Sequence, residues 1–272
     1  MFLIDDQILL PMLKEDAPYG DQTTRSLAFG KERGHIIFRA RNPMIVCATE
    51  EAARMFKLVG CAADLACASG DRREPGELIL AAAGPAEALF TAWKVAQTLV
   101  EWASGVASAA GRMVNAARAV NAGVTVACTR KTISGTRGAL SLKAIAAGGA
   151  SIHRSGLSDT ILLFPEHRVF GGGRDLPRNL QRQIAALRAA CPERTVVVEV
   201  TSHDDALRAA DYGANVVQIE KFNPGGVAAV VTALGPANSA RVAAAGGISA
   251  SNAAKYARVG AAILVTSAPY YA

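Results

Sequence analysis

From about residue 107 onward, short apolar runs alternate with amphipathic segments, and nearly every run stops in a charged, hydroxyl or glycine group. The run 124–128 stops at Thr129-Arg130-Lys131-Thr132, a run near 148–152 at His153-Arg154, and 161–164 at Pro165-Glu166-His167-Arg168. Further runs near 195–200, 215–219, 241–245 and 261–265 carry Glu199, Glu220, Gly246-Gly247 and Thr266-Ser267 at or beside their ends. Helical patterns at 137–147, 174–190, 203–212 and 250–258 separate most of them. Seven strands in a βα alternation imply a parallel sheet, because each parallel connection needs a crossover, usually a helix. Polar groups at almost every strand end favour a closed or nearly closed α/β barrel, whose mouth collects all the C-terminal strand ends. An open sheet would gather its ligand groups at one switch point.

The first hundred residues follow another rhythm. An amphipathic helix is predicted over 5–14, followed by turn chemistry at 17–24. A hairpin is predicted from 36–40 and 44–48 around Arg41-Asn42-Pro43, then a helix over 49–59 capped by Thr49, and a strand at 78–81. A long helix runs from Pro85 to about Ala103, Ser104-Gly105 interrupts it, and a further helix reaches about Val120. The fold class is therefore α/β, with an α+β domain at 1–104 and a parallel barrel domain at 105–272, whose last few residues are free to pack on the first.

Composition narrows the partners. A chain of 272 residues, half of them hydrophobic, suffices for a barrel plus a small domain with a sizeable core. No apolar run reaches the roughly 18 residues of a membrane span, and no basic region precedes the apolar residues at the N-terminus. The five cysteines form no CxxC pair and lie in apolar or Ala-rich contexts, as buried reduced thiols of a cytoplasmic protein would. The net charge of +6 comes without long like-charge runs and without aromatics interleaved among the basic residues. That argues against nucleic acid and for a small polyanion.

Arg130 and Lys131 directly follow a buried-type strand, where unpaired cations are costly, so they imply either solvent or an anion partner. His153-Arg154 repeats the signal at the next strand end; Arg grips carboxylate or phosphate as a fork and Lys as a point charge. Glu199 and Glu220, in apolar runs beside such cations, either neutralise the site, stabilise a developing positive charge, or hold Mg²⁺ through water. Neither spacing nor ligand type suggests zinc. Ala245-Gly246-Gly247-Ile248-Ser249, before a helix capped near Ser249 or Ser251, suits a phosphate cradle to which Thr266-Ser267 adds. Gly171-Gly172-Gly173 reads as a flexible loop; with no Gly-Lys-Ser/Thr after it, it is not a phosphate loop.

These residues resemble the quinolinate phosphoribosyltransferase (nicotinate-nucleotide pyrophosphorylase, carboxylating) family over nearly the whole chain. The motifs are Gly20-Asp21-Gln22-Thr23-Thr24, Ser104-Gly105-Val106-Ala107, Thr129-Arg130-Lys131-Thr132 with Gly135-Thr136-Arg137, and Gly148-Gly149-Ala150-Ser151-Ile152-His153-Arg154. Val198-Glu199-Val200 and Ala245-Gly246-Gly247-Ile248 continue the match. The resemblance implies an N-terminal sandwich domain, an incompletely closed barrel, and a homodimer or assembly of dimers with shared active sites. It also implies a Mg²⁺-assisted displacement of pyrophosphate from phosphoribosyl pyrophosphate by a nitrogen heterocycle. Carried over by position, Arg130, His153 and Arg154 hold the acceptor's carboxylate, and Lys131 lies near acceptor and pyrophosphate. Glu199 faces the ribose and Gly246-Gly247 the 5′-phosphate.

Four positions depart from the family pattern. An active-site Lys becomes Phe164, an Arg on the long N-terminal helix becomes Lys94, an Asp becomes Glu220, and the Ser before Gly-Gly becomes Ala245. The combination resembles the branch of the family associated with molybdate transport systems. It predicts a retained phosphoribosyl half-site and an altered acceptor pocket, with fewer anionic groups on the acceptor. Two other readings remain: quinolinate phosphoribosylation in a rebuilt pocket, and a non-catalytic protein that binds an anion such as molybdate.

Overall fold

The computed structural model describes residues 1–272 apart from 1, 3, 133, 134, 136, 171–175, 237, 239 and 272, with no side chain described at 137 or 176–178. The glycine run 171–173, and much of the motif at 135–137, thus lie outside the described residues. Two compact units form, one from Met1–Gly111, Thr132–Gly149 and Pro269–Ala272, the other from Arg112–Lys131 and Ala150–Ala268.

In the first unit, α1 (Asp6–Asp16) and α2 (Gln22–Ser26) precede β1 (Arg33–Arg39) and β2 (Met44–Ile45). Then come α3 (Thr49–Leu58), β3 (Ala62–Leu65), β4 (Arg72–Arg73), β5 (Leu78–Pro85) and most of α4 (Ala86–Arg118), whose residues 112–118 belong to the second unit, and later in the chain α5 (Leu142–Ala147). An antiparallel sheet in the order β1-β5-β3 buries Phe38, Ala63 and Leu80 with Leu9, Met55 and Phe56 of the helices. The Phe38 and Phe56 rings meet at 5.9 Å. Asp21 caps α2 by accepting from the N–H groups of Thr23 and Thr24, which uses the polar motif there for local geometry.

Three expectations need correction here. The 36–48 hairpin does not form: β1 pairs with β5, whereas β2 pairs with β4 in a separate two-stranded sheet. The register shift at Phe38/Arg39 and the Ala40 N–H bond to Glu77 O direct the chain out of the first sheet. Thr49 does not cap α3; Ala48 holds that position at φ 63, and Thr49 is the first, fully buried helical residue.

Nor does Ser104-Gly105 break α4, which is continuous over 86–118. The small residues there are an approach surface instead. Ser104 Oγ accepts from Cys47 N–H and Ser108 Oγ from Ile45 N–H, both at 2.9 Å, and a Cβ on Gly111 would meet the Ile45 side chain. The predicted helix at 137–147 divides into a π-helical turn, Arg137–Ser141, and α5. Lys143 on α5 bonds Glu50 at 2.8 Å and Glu51 at 2.6 Å.

The second unit holds β6 (Thr125–Cys128), β7 (Ser151–Ile152), β8 (Ile161–Leu163), α6 (Pro165–Phe170), α7 (Leu176–Ala190) and β9 (Val196–Val200). It continues with α8 (His203–Asp211), β10 (Val216–Glu220), α9 (Pro224–Leu234), β11 (Arg241–Ala245), α10 (Ala253–Arg258) and β12 (Ile263–Thr266). All seven strands are parallel, in the order β7-β6-β12-β11-β10-β9-β8. β7 and β8, consecutive in the chain, end the order without pairing, so the barrel is incompletely closed. Alternate residues fill its interior: Leu162, Val197, Val216, Ala243, Ala245 and Val265 pack together, with Phe164 and Ile263 against them. One step further along the same faces stand Glu199, Gln218 and Glu220, so the polar layer sits on the apolar one at the C-terminal strand ends.

Four cysteines are buried and free; Cys191, by contrast with the expectation, is partly exposed. Burial pushes the Cys47 thiol up to about 11 and the Cys128 thiol up to about 12, so both stay protonated and inert. No helix among the described residues is long and apolar enough to cross a membrane.

Candidate active site

Each strand that ends at the barrel mouth contributes by the same logic: its apolar residues fill the interior, and the first residues beyond them face a cavity of about 610 Å³. β6 delivers Thr129, Arg130 and Lys131; the Thr129 N–H bonds Thr266 O at 2.8 Å, and the Lys131 N–H bonds Thr129 Oγ1 at 3.2 Å. β7 delivers His153 and Arg154, fixed by the His153 N–H to Cys128 O bond at 2.9 Å. Glu199, Glu220, Ala245, Gly246, Gly247, Thr266 and Ser267 complete the ring, and Phe164 forms part of its wall. All the predicted site residues meet there except Lys94, which belongs to the first unit. On α4 it lies 4.0 Å from the Trp93 ring centroid and donates to Gln97 at 3.1 Å.

The electrostatics is uneven. Arg154 is only 6% exposed; burial, and then the positive charge of Arg130, push its pKa down, against Asp159 and Glu199. Burial also lowers His153, with Arg154 adding to it and Gln218 opposing, which favours a neutral imidazole. Glu199 is pushed up by burial and then by Glu220, against a hydrogen bond from Gln218 Nε2 at 2.7 Å; Glu166 adds to the rise and Lys131 opposes it. A carboxylate whose ionisation a neighbouring carboxylate opposes, beside the buried Arg154 guanidinium, makes a site that gains from both an anion and a further cation.

Phe164 is held on two sides. Its ring lies 5.4 Å from the Arg154 guanidinium carbon and stacks on His167 at 5.7 Å and 23°, and its N–H donates to His167 Nδ1 at 3.0 Å. The wall is thus aromatic with a cation over it.

Sequence reasoning passed over Gln218 and Lys221, both of which line the cavity. Gln218 had a visible signal, being the polar residue two before Glu220 in an alternating strand and so on the same inward face. Lys221 had none, because its place depends on a left-handed backbone at φ 62. The expected helix cap at Ser249 or Ser251 is also corrected. α10 starts at Ala253, and Asn252 folds back to donate to Gly247 O at 2.9 Å and to accept from Ser249 N–H at 2.8 Å.

Gly246 and Gly247 have φ of +87° and +73°, so backbone lines the cavity there. A Cβ at Gly246 would stand 2.7 Å from Lys221 Cγ, 2.8 Å from Lys221 N and 3.0 Å from Glu220 Oε1, whereas one at Gly247 would meet nothing within 4 Å. Gly246→Ala is therefore expected to cost about 3 kcal/mol or more and Gly247→Ala about 1 kcal/mol. Urea unfolding of the two variants checks this; equal losses would mean that the contact with Lys221 is immaterial.

Among known proteins, models of the quinolinate phosphoribosyl transferase N-terminal and C-terminal domains match residues 21–104 and 106–272. A Rhodobacter capsulatus protein named "Putative pyrophosphorylase ModD" is 57% identical over 260 residues, covering 96% of this chain and 98% of that protein. A Pasteurella multocida protein of the same name is 34% identical over 100% of this chain and 95% of its own. The solved structure of the nicotinate-nucleotide pyrophosphorylase from Francisella tularensis superposes with a TM-score of 0.89 at 20% identity, covering 99% and 94% of the two chains, which establishes a shared fold.

Proposed function

The chain belongs to the quinolinate phosphoribosyl transferase family, and on that premise we propose that it is a pyrophosphorylase-type pentosyltransferase. It moves the phosphoribosyl group of phosphoribosyl pyrophosphate to the ring nitrogen of a small heterocycle. The observation that carries this reading is the meeting of Arg130, Lys131 and Arg154 with Glu199, Glu220 and the Gly246-Gly247 turn around one cavity. The nitrogen lone pair forms the bond to C1′ while the bond from C1′ to the pyrophosphate oxygen breaks, its electron pair leaving with pyrophosphate.

Positive charge that develops on the ribose is opposed by Glu199, whose ionised form the charge itself favours. Arg130, His153 and Arg154 orient the acceptor through a carboxylate. Lys131 neutralises the departing pyrophosphate, and Gly246-Gly247 with Thr266-Ser267 receive the 5′-phosphate. Lys94 would come from the partner copy of a homodimer.

Mg²⁺ suits the two carboxylates, which are hard oxygen ligands, Glu220 helping to raise the pKa of Glu199. Among the described residues no group of three or more His, Cys, Asp or Glu could hold a metal. Glu199 and Glu220 would therefore hold the ion through water, and when bound it would neutralise pyrophosphate oxygens.

Purified protein given donor, Mg²⁺ and a series of pyridine-type monocarboxylates is expected to release pyrophosphate only when both substrates are present. No release with any acceptor, together with no donor binding by calorimetry, would overturn the proposal. Molybdate binding in that circumstance would point to an anion-binding protein. Turnover of quinolinate to nicotinate mononucleotide would identify the parent activity, which the Arg130 and Arg154 cations with the His153 imidazole favour and Phe164 disfavours.

A further inference from the structure

A second cavity, of about 950 Å³, opens at the free edge of β8. It shares Arg130, Arg154, Leu162, Phe164 and Glu199 with the barrel-mouth cavity, so the two adjoin across the aromatic wall and the two guanidinium groups. Its remaining walls are mainly apolar: Leu157, Ile161, Leu163, and Ala186 and Leu187 of α7. Among the described residues, the charged groups that line it beyond the two arginines are carboxylates, Glu166 and Glu199. An anionic substituent directed that way would meet like charge, whereas an apolar edge would meet Leu and Ile.

Phe164 is fixed at the junction by His167 on one side and Arg154 near its ring. With His167 and Arg154 over its ring, Phe164 offers its edge, so a planar ring beside it gains an edge-to-face contact, and a carboxylate on that ring stays within the reach of Arg130 and Arg154. Resting on the transferase reading above, we infer that the acceptor is a heteroaromatic monocarboxylate with an apolar, ring-fused edge. Its ring lies against Phe164, its carboxylate meets the two arginines, and its fused edge enters the second cavity. Phe164 thereby selects the acceptor and is a specificity-determining residue.

The test uses the full chain with Mg²⁺ and phosphoribosyl pyrophosphate, and three binding probes: quinoline-2-carboxylate, pyridine-2-carboxylate and pyridine-2,3-dicarboxylate. Calorimetry is expected to rank the fused monocarboxylate at least about ten-fold tighter than the other two, the size of effect that one well-packed ring supplies. Phe164→Lys is expected to reverse the order, weakening quinoline-2-carboxylate and admitting the dicarboxylate. Ala186→Phe, on an exposed helix position that lines the second cavity and not the barrel mouth, is expected to weaken the fused probe alone and to leave donor binding unchanged. Donor binding with the dicarboxylate preferred, with no preference, or with no probe bound would overturn the inference while leaving the transferase reading standing. Absence of donor binding and of pyrophosphate release would instead remove the reading beneath it.

Discussion

Lys131→Ala is expected to lower donor-dependent pyrophosphate release by about 10²–10³-fold, the range for losing one preorganised group aimed at developing charge. Its side chain is exposed at the barrel mouth, not packed in the core, so urea unfolding should be unchanged. The same ammonium holds down the pKa of Glu199, which burial and Glu220 push up. Without it the Glu199 carboxyl rises further, and less of it is ionised at any given pH. The acid limb of the pH–rate profile should therefore move to higher pH, a shift that a purely steric role for Lys131 would not produce. Lys131→Arg should restore the position of that limb and part of the rate, because charge is kept while the point-charge geometry is not. Retained turnover in Lys131→Ala would mean that the chemistry is not at the barrel mouth.

Lys143→Ala is expected to cost about 3–5 kcal/mol in urea unfolding, the range for stranding one partner of a buried ion pair. The geometry supports the upper class of effect: the Lys143 and Glu51 side chains are 12% and 7% exposed and lie 2.6 Å apart. Glu50, 39% exposed, is more solvated and should contribute less. Replacing both members of the buried pair, Lys143→Met with Glu51→Leu, should recover most of the loss, since no uncompensated charge remains.

The pH dependence has a definite sign. Burial pushes the Glu50 carboxyl up, but hydrogen bonds from Lys143 and Ser69 outweigh it and hold the pKa down at about 2, against 4.5 for an ordinary Glu. Its stabilising contribution is therefore complete above about pH 4.5 and is lost as pH falls from there toward 2. In Lys143→Ala that acid-side loss should shrink. Lys143 itself is raised, with its burial outweighed by the two carboxylates, so its contribution is present below 10.5 and is lost only as pH rises through its higher folded value. Unfolding free energies from pH 2 to 7 on both proteins check the sign and the window.

The barrel was legible in the sequence because a parallel strand writes its own record. The interior layer, from Leu162 to Val265, alternates with period two, and each strand stops where a polar residue can face the cavity. The same rule brought Arg130, His153, Glu199, Glu220 and Gly246 to one place. Pairing between distant strands leaves no such local record. Residues 36–48 look like a hairpin, yet β1 finds its partner much further along the chain, in β5, with Ile36 opposite Ala82. Ser104-Gly105 has the composition of a helix break, but the Ser104 hydroxyl serves to accept from the Cys47 N–H, a need that appears only when the two segments are packed. Lys221 depended on a backbone conformation that its residue type does not advertise.

The unpaired seam between β7 and β8 divides labour within the ring. Apart from Lys131 after β6, the groups assigned to the donor stand on β9, β10, β11 and β12, contiguous in the sheet, while those assigned to the acceptor follow β6 and the two strands that flank the gap, β7 and β8. Among the described residues no ladder of hydrogen bonds crosses that gap, so substitutions at its rim need not preserve a strand register. A chain of this architecture can exchange one nucleobase-like partner for another by changes at the rim alone, with the phosphoribosyl half of the reaction inherited intact.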